Sequence, residues 1–209
     1  MIKILGVQLN KAACEEALCA AIPPQWLAAW EAAHPTLRRE AARRASLAGL
    51  WLLAESGFVG TLSYTERGKP LPSTGAISVT HTEQLVFCAV SDGKAPIGLD
   101  AEEMDGHLDA KRRAAMAERW FSPAEQTLAA ADEEAFYRVW TRKEAMVKRS
   151  GEGLCGVRAL DSEAADCAFY ERRVANTLLS LACSAGEEIV WRLDRIDEGA
   201  SDLRTCPKD

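Results

Sequence analysis

Val86-Phe-Cys-Ala-Val-Ser-Asp-Gly93 and Leu179-Ser-Leu-Ala-Cys-Ser-Ala-Gly186 share one pattern, about ninety residues apart. Each is a short apolar run that ends in small or polar residues and a glycine, the mark of a strand entering a turn. With the order helix, strands, helix, strands around them, the repeat predicts an α+β chain of two similar halves. The halves are expected to join near residues 104 to 110, with 1–104 in the first, 105–209 in the second and a cleft between them.

Outward from these strands, Ala76–Thr80, Leu85–Ser91 and Pro96–Glu102 are β-like runs separated by short breaks, and they predict a meander. Leu37, Ala41, Ala45, Ala48 and Leu52 recur every three or four residues after Pro35-Thr36, which predicts a helix from about 37 to 55 ending at Gly57. At 100° per residue Arg38, Arg39 and Arg43 fall off its apolar stripe, but Arg44 falls inside it, between Leu37 and Trp51, and needs a partner. That partner is either a structural ion pair or an anion in a cleft. Ser122-Pro-Ala-Glu125 is a capping box opening a helix towards Ala131. Asp132 caps a longer helix over 133–149, closed by Gly151. Strands are expected again over 168–174, 176–183 and about 188–193.

The chain has 209 residues, 25 Lys+Arg against 31 Asp+Glu, a formal charge of −6, and is 48% hydrophobic and 27% charged. That composition excludes disorder, collagen and coiled coil. Its acidic balance argues against general nucleic-acid binding, which needs a basic surface. The longest apolar run, Ala48–Ala54, is far short of the eighteen or so residues that cross a bilayer, and the start of the chain does not read as a signal peptide. The seven cysteines are odd in number and never spaced CxxC, which disfavours a disulfide framework or a structural zinc site. A reduced, cytoplasmic protein is expected.

Four stretches could carry chemistry. In Ile97-Gly98-Leu99-Asp100-Ala101-Glu102 the two-residue period puts Asp100 and Glu102 on one face, where two like charges call for a cation and suit a hard divalent metal. Gly98 on that face is expected to leave room for a ligand. In Trp140-Thr-Arg-Lys-Glu144-Ala-Met-Val-Lys148, Glu144 and Lys148 stand one turn apart: either an ordinary surface pair, or a third carboxylate and a phosphate contact of a magnesium–polyphosphate site. Ser78-Val-Thr80-His81-Thr flanks a histidine with hydroxyls where the chain leaves a strand, a place to donate to a phosphate. Gly68-Lys69-Pro70 presents one lysine on a turn.

These stretches, with Arg119-Trp-Phe-Ser-Pro-Ala-Glu125, resemble in order and spacing the motifs of the 4′-phosphopantetheinyl transferase superfamily. They are similar in particular to its surfactin-type branch, monomers of about this length made of two pseudo-symmetric halves with the active site at their interface. The resemblance implies Mg²⁺ (or Mn²⁺) held by Asp100, Glu102 and Glu144, and coenzyme A as co-substrate. Lys148 and His81 would contact its pyrophosphate, with Thr80 beside His81, and Lys69 and Arg44 its 3′-phosphate end. A serine of an acyl or peptidyl carrier protein would attack the β-phosphorus, with Glu144 accepting its proton, and 3′,5′-ADP would leave; Glu144, Lys148 and His81 are thus the implied catalytic set. The chain departs from the family in having Thr80 and Thr82 around the histidine and Met146 where an aromatic is frequent. Two other functions use the same residue types: a magnesium-dependent hydrolase of coenzyme A or another nucleotide pyrophosphate, and a non-catalytic module that binds a carrier protein. Carrier proteins are typically acidic, so the basic residues at 38–44, Lys111–Arg113, Arg142, Lys143, Lys148 and Arg149 are expected to form a docking face.

Overall fold

The computed structural model describes residues 1–9, 14–35, 39–66, 68–151, 157–158, 160–193 and 196. Along the chain run β1 (Ile2–Gln8), α1 (Glu15–Ala21), α2 (Pro24–Ala33), α3 (Glu40–Glu55), β2 (Leu62–Tyr64), β3 (Pro70–Pro72), β4 (Ala76–His81), β5 (Leu85–Ser91), β6 (Gly98–Glu103), α4 (Ala110–Trp120), α5 (Pro123–Ala129), α6 (Glu133–Ser150), β7 (Ala168–Val174), β8 (Thr177–Cys183) and β9 (Ile189–Arg192). The α+β class is as expected. None of the described helices is long and apolar enough to cross a membrane.

Two compact units divide the chain, Met1–Lys94 with Glu188–Asp209, and Ala95–Glu187. The division therefore falls before β6 rather than at 104/105, and the last strand returns to the first unit.

In the first unit the sheet order is β4-β5-β1-β9. β5 pairs antiparallel with β4 (His81 opposite Val86) and with β1 (Ile2 opposite Ser91), and β9 adds parallel to β1. Helix α3 supplies the apolar layer: Leu47, Ala48 and Leu52 are fully buried in one cluster with Val86 and Cys88. The helix is N-capped by Arg39, and Leu37 and Arg38 lie outside the described residues. Trp30 of α2 donates its indole N–H to Ser46 Oγ of α3 at 2.8 Å, so a large apolar ring is buried without stranding its donor.

In the second unit β8 is the centre of the sheet β6-β8-β7, antiparallel to both neighbours. Helix α4 is N-capped by Asp109, which accepts from Arg112 N at 2.8 Å. The capping box of α5 forms in full, Ser122 N donating to Glu125 Oε2 at 2.7 Å. Helix α6 is capped by Asp132 at its start and by Gly151 at its end, where φ of 81° lies in the left-handed region that glycine enters freely.

The two echoing stretches begin in β5 and β8, interior strands of the four-stranded and the three-stranded sheet, and every residue of β5 and of β8 is buried. That explains their shared apolar runs, since a strand covered on both faces has no polar alternation. The expected meander is overturned: β4 and β5 pair, but β5 continues to β1 while β6 pairs with β8 in the other unit's sheet. Cys19, Cys88, Cys167 and Cys183 are free thiols, whereas Cys14 is disulfide-bonded, against the expectation of a fully reduced chain.

Candidate active site

Strand β6 alternates as expected, with Leu99 and Ala101 buried on one face and Gly98, Asp100 and Glu102 on the other. Helix α6 lies directly on that second face. A Cβ at Gly98 would collide with the Ala145 carbonyl oxygen and stand 2.5 Å from the Arg149 amide nitrogen. The missing side chain thus admits the backbone of α6, and the expected room for a ligand at Gly98 is taken by the helix. One strand over, Ser180, opposite Asp100, shares a 2.8 Å hydrogen bond with Thr141 Oγ1 of α6. Thr141 and Ala145, one turn apart, face the sheet, and Glu144 and Lys148 come from the same helix beside them.

This packing gathers four of the expected residues. Lys148 Nζ donates to Asp100 Oδ1 at 2.7 Å, and Trp140 Nε1 donates to Glu102 Oε1 at 2.9 Å. Asp100 is only 5% exposed. Burial, then the charge of Asp100, push the Glu102 carboxyl up to about 7, with Glu144 adding and the Trp140 hydrogen bond and Lys148 opposing. The Glu144 carboxyl also rises to about 7, from burial and then Asp100, against the pull of Lys148. Two carboxyls near neutrality can exchange a proton at physiological pH. Among the described residues no three His, Cys, Asp or Glu side chains stand as a ready metal cage. The donor set is nonetheless carboxylate oxygen alone, the chemistry of Mg²⁺ and Mn²⁺, and the cation now at Asp100 is the lysine ammonium.

What orients α6 was missed in the sequence. Lys143 and Glu125 are both fully buried and pair at 2.8 Å. Lys143 also donates to the Leu160 carbonyl, and Glu125 Oε1 accepts from Ser162 N at 2.7 Å and Ser162 Oγ at 2.8 Å. Phe136, Val139, Lys143 and Val147 form one stripe of α6, all buried. A lysine inside an apolar stripe is the same signal that singled out Arg44, and it was legible here too.

The remaining expected residues belong to the first unit. His81 ends β4 and, with Ile77 and Val79 of the same strand face, lines a pocket of about 200 Å³ together with Trp30, His34 and Tyr64. Thr80 is buried, 4% exposed, and alternation turns it to the opposite face from His81. Arg44 on α3 is half-buried and does not lack an interaction. Lys69 follows Gly68, a lining residue of the same pocket, and burial holds its ammonium below the ordinary lysine value.

Several basic residues expected on a docking face are neutralised instead. Arg173, Glu134, Arg138, Glu171 and Arg142 form a ladder of alternating charges along α6 and β7 that ends on Glu163, in the chain between them, with contacts of 2.7 to 3.2 Å. Arg149 pairs with Asp166, Arg113 with Glu133, and Arg43 with Glu15 while stacking on Trp30. Lys111 and Arg112 are exposed.

Residues 96–197 match the family model of the 4′-phosphopantetheinyl transferase superfamily. The chain is 34% identical over 133 residues to a 4′-phosphopantetheinyl transferase of Bacillus subtilis, covering 59% of this chain and 55% of that protein. It is 32% identical over 127 residues to the 4′-phosphopantetheinyl transferase HetI of Nostoc sp., covering 56% and 52%. With the 4′-phosphopantetheinyl transferase AcpT of Salmonella typhimurium it shares 30% identity over 152 residues, 68% of this chain and 77% of the relative. The matched segments thus span about half the length of the first two relatives.

Proposed function

The chain belongs to the 4′-phosphopantetheinyl transferase superfamily, and on that premise we propose that it transfers the phosphopantetheine arm of coenzyme A to a serine of an apo acyl or peptidyl carrier protein, as the surfactin-type branch does. The observation that supports this best is the grouping of Asp100, Glu102, Glu144 and Lys148 where α6 crosses β6. In the proposed reaction the serine oxygen bonds to the β-phosphorus of coenzyme A, the bridging P–O bond breaks, and 3′,5′-ADP leaves.

Asp100, Glu102 and Glu144 would hold Mg²⁺ or Mn²⁺, which would supply positive charge against the phosphate oxygens as negative charge builds on them. Lys148, drawn from Asp100, donates to a pyrophosphate oxygen and stabilises the same charge. Glu144 would accept the serine proton, directly or through a water. Lys143, pinned to Glu125, keeps Glu144 and Lys148 turned to the strand. His81, Thr80, Lys69 and Arg44 are proposed contacts to coenzyme A, and His81 has the supporting feature of lining a pocket.

Incubation with coenzyme A, Mg²⁺ and a panel of apo carrier proteins should raise a carrier's intact mass by one phosphopantetheine arm. No gain on any carrier, where a control transferase works, overturns the proposal. Release of 3′,5′-ADP without a carrier would assign a hydrolase instead.

A further inference from the structure

We propose that Lys148 is a built-in counter-ion of the carboxylate site, one that competes with a divalent cation for Asp100 and must leave before both the cation and a phosphate are bound. The inference rests on the cation role given to Asp100, Glu102 and Glu144 above and adds how that role is switched on.

The two partners differ in their freedom. Asp100 is held on β6, paired to β8 on one side and covered by α6, and its side chain is 7% exposed; the Lys148 side chain is 31% exposed. The carboxylate is therefore fixed, and the ammonium reaches it from the wetter side on a flexible four-carbon stem. At 2.7 Å from Oδ1 it neutralises the buried carboxylate of Asp100. A second cation meets ammonium repulsion and a carboxylate already engaged, so it binds less tightly than the three acids alone would allow.

The same displacement frees the only lysine on this part of α6 that is not fully buried, since Lys143 is locked to Glu125. Lys148 then has three donors for a phosphate oxygen. Cation binding and phosphate binding thereby favour each other, and the coupling is reciprocal by thermodynamic linkage. The device suits a site whose substrate is a pyrophosphate carrying its own cation: either partner alone binds against the closed pair, and the two together open it.

The test is Mn²⁺ binding to the metal-free full chain, followed by the paramagnetic resonance of free Mn²⁺, with no substrate present. Lys148→Met should tighten binding about tenfold, because it removes a unit charge next to Asp100 while keeping the stem length. Lys148→Arg, which keeps the charge, should stay within about twofold of the parent. Lys148→Gln repeats the neutral arm should methionine disturb packing. Binding by the parent that Lys148→Met leaves equal or weaker, or that Lys148→Arg tightens as much as Lys148→Met, overturns the counter-ion role and leaves the cation site standing. No Mn²⁺ binding by any variant, or binding indifferent to Asp100→Asn, overturns the cation site itself.

Discussion

Replacing Glu144 by glutamine should stabilise the metal-free protein at pH 8 and abolish transfer. Burial first, and the charge of Asp100 second, lift this carboxyl from 4.5 to about 7, Lys148 opposing. An acid whose folded value lies above its unfolded one holds its proton more tightly in the folded state. Its contribution to stability is full below about pH 4.5, is lost as pH rises towards 7, and is absent above. A displacement of this size corresponds to roughly 3 kcal/mol for a wholly desolvated group. Glu144 is only half-buried, and solvent screening reduces the figure to about 1 kcal/mol. For a chain of this length that is a rise in Tm of about 2–4 °C. Calorimetry of parent and Glu144→Gln in chelator, at pH 5 and pH 8, should show the gain at pH 8 and almost none at pH 5. An unchanged or lower Tm at pH 8, or the same gain at both, would refute the electrostatic reasoning.

Gly98→Ala should cost about 3 kcal/mol or more in urea unfolding and remove activity, because the new Cβ meets backbone atoms of α6 that no rotamer change can move. Lys143→Met leaves a carboxylate buried without its cation and should cost about 3–5 kcal/mol; adding Glu125→Gln removes the stranded charge and should recover part of the loss, measured as a double-mutant cycle. The ladder from Arg173 to Glu163 lies at half-exposed positions, so Arg138→Gln should lower stability by no more than about 1 kcal/mol at low salt, and the difference should shrink in 0.5 M NaCl as screening grows, on the order of the few-ångström Debye length at such salt.

The parts of the fold written in the sequence were those with a strong local signal. The capping box at Ser122 and the glycine at 151 bound α5 and α6 closely, and β7 and β8 fall where their apolar runs do. Helices α1 and α2 carry no such signal, because their alanines and tryptophans make no clean stripe and α2 starts at a proline pair. Strand β1 is a short, mostly buried run with no polar alternation to mark it. The meander failed because three strands in sequence share the same pattern whichever sheet they join; pairing is decided by long-range packing, which carries β6 to β8. In the site, alternation on β6 and one-turn spacing on α6 placed Asp100, Glu102, Glu144 and Lys148 correctly within their elements. That Lys148 meets Asp100, and that Gly98 serves the helix, depend on how α6 lies on the sheet, which no spacing along the chain contains. The basic residues of α6 and its neighbours illustrate the same limit, since Arg142 and Arg149 find acidic partners on segments distant in sequence.

The central claim is that the acids and the lysine at the crossing of α6 and β6 serve transfer to a carrier serine. Intact-mass analysis of an apo carrier protein incubated with coenzyme A and Mg²⁺, with the modified residue mapped by fragmentation, tests it most directly. The expected result is one phosphopantetheine arm on a serine with the parent chain, and none with folded Asp100→Ala or Glu144→Gln. An unmodified carrier across a panel that a control transferase modifies, or full modification by the Asp100→Ala variant, would contradict it.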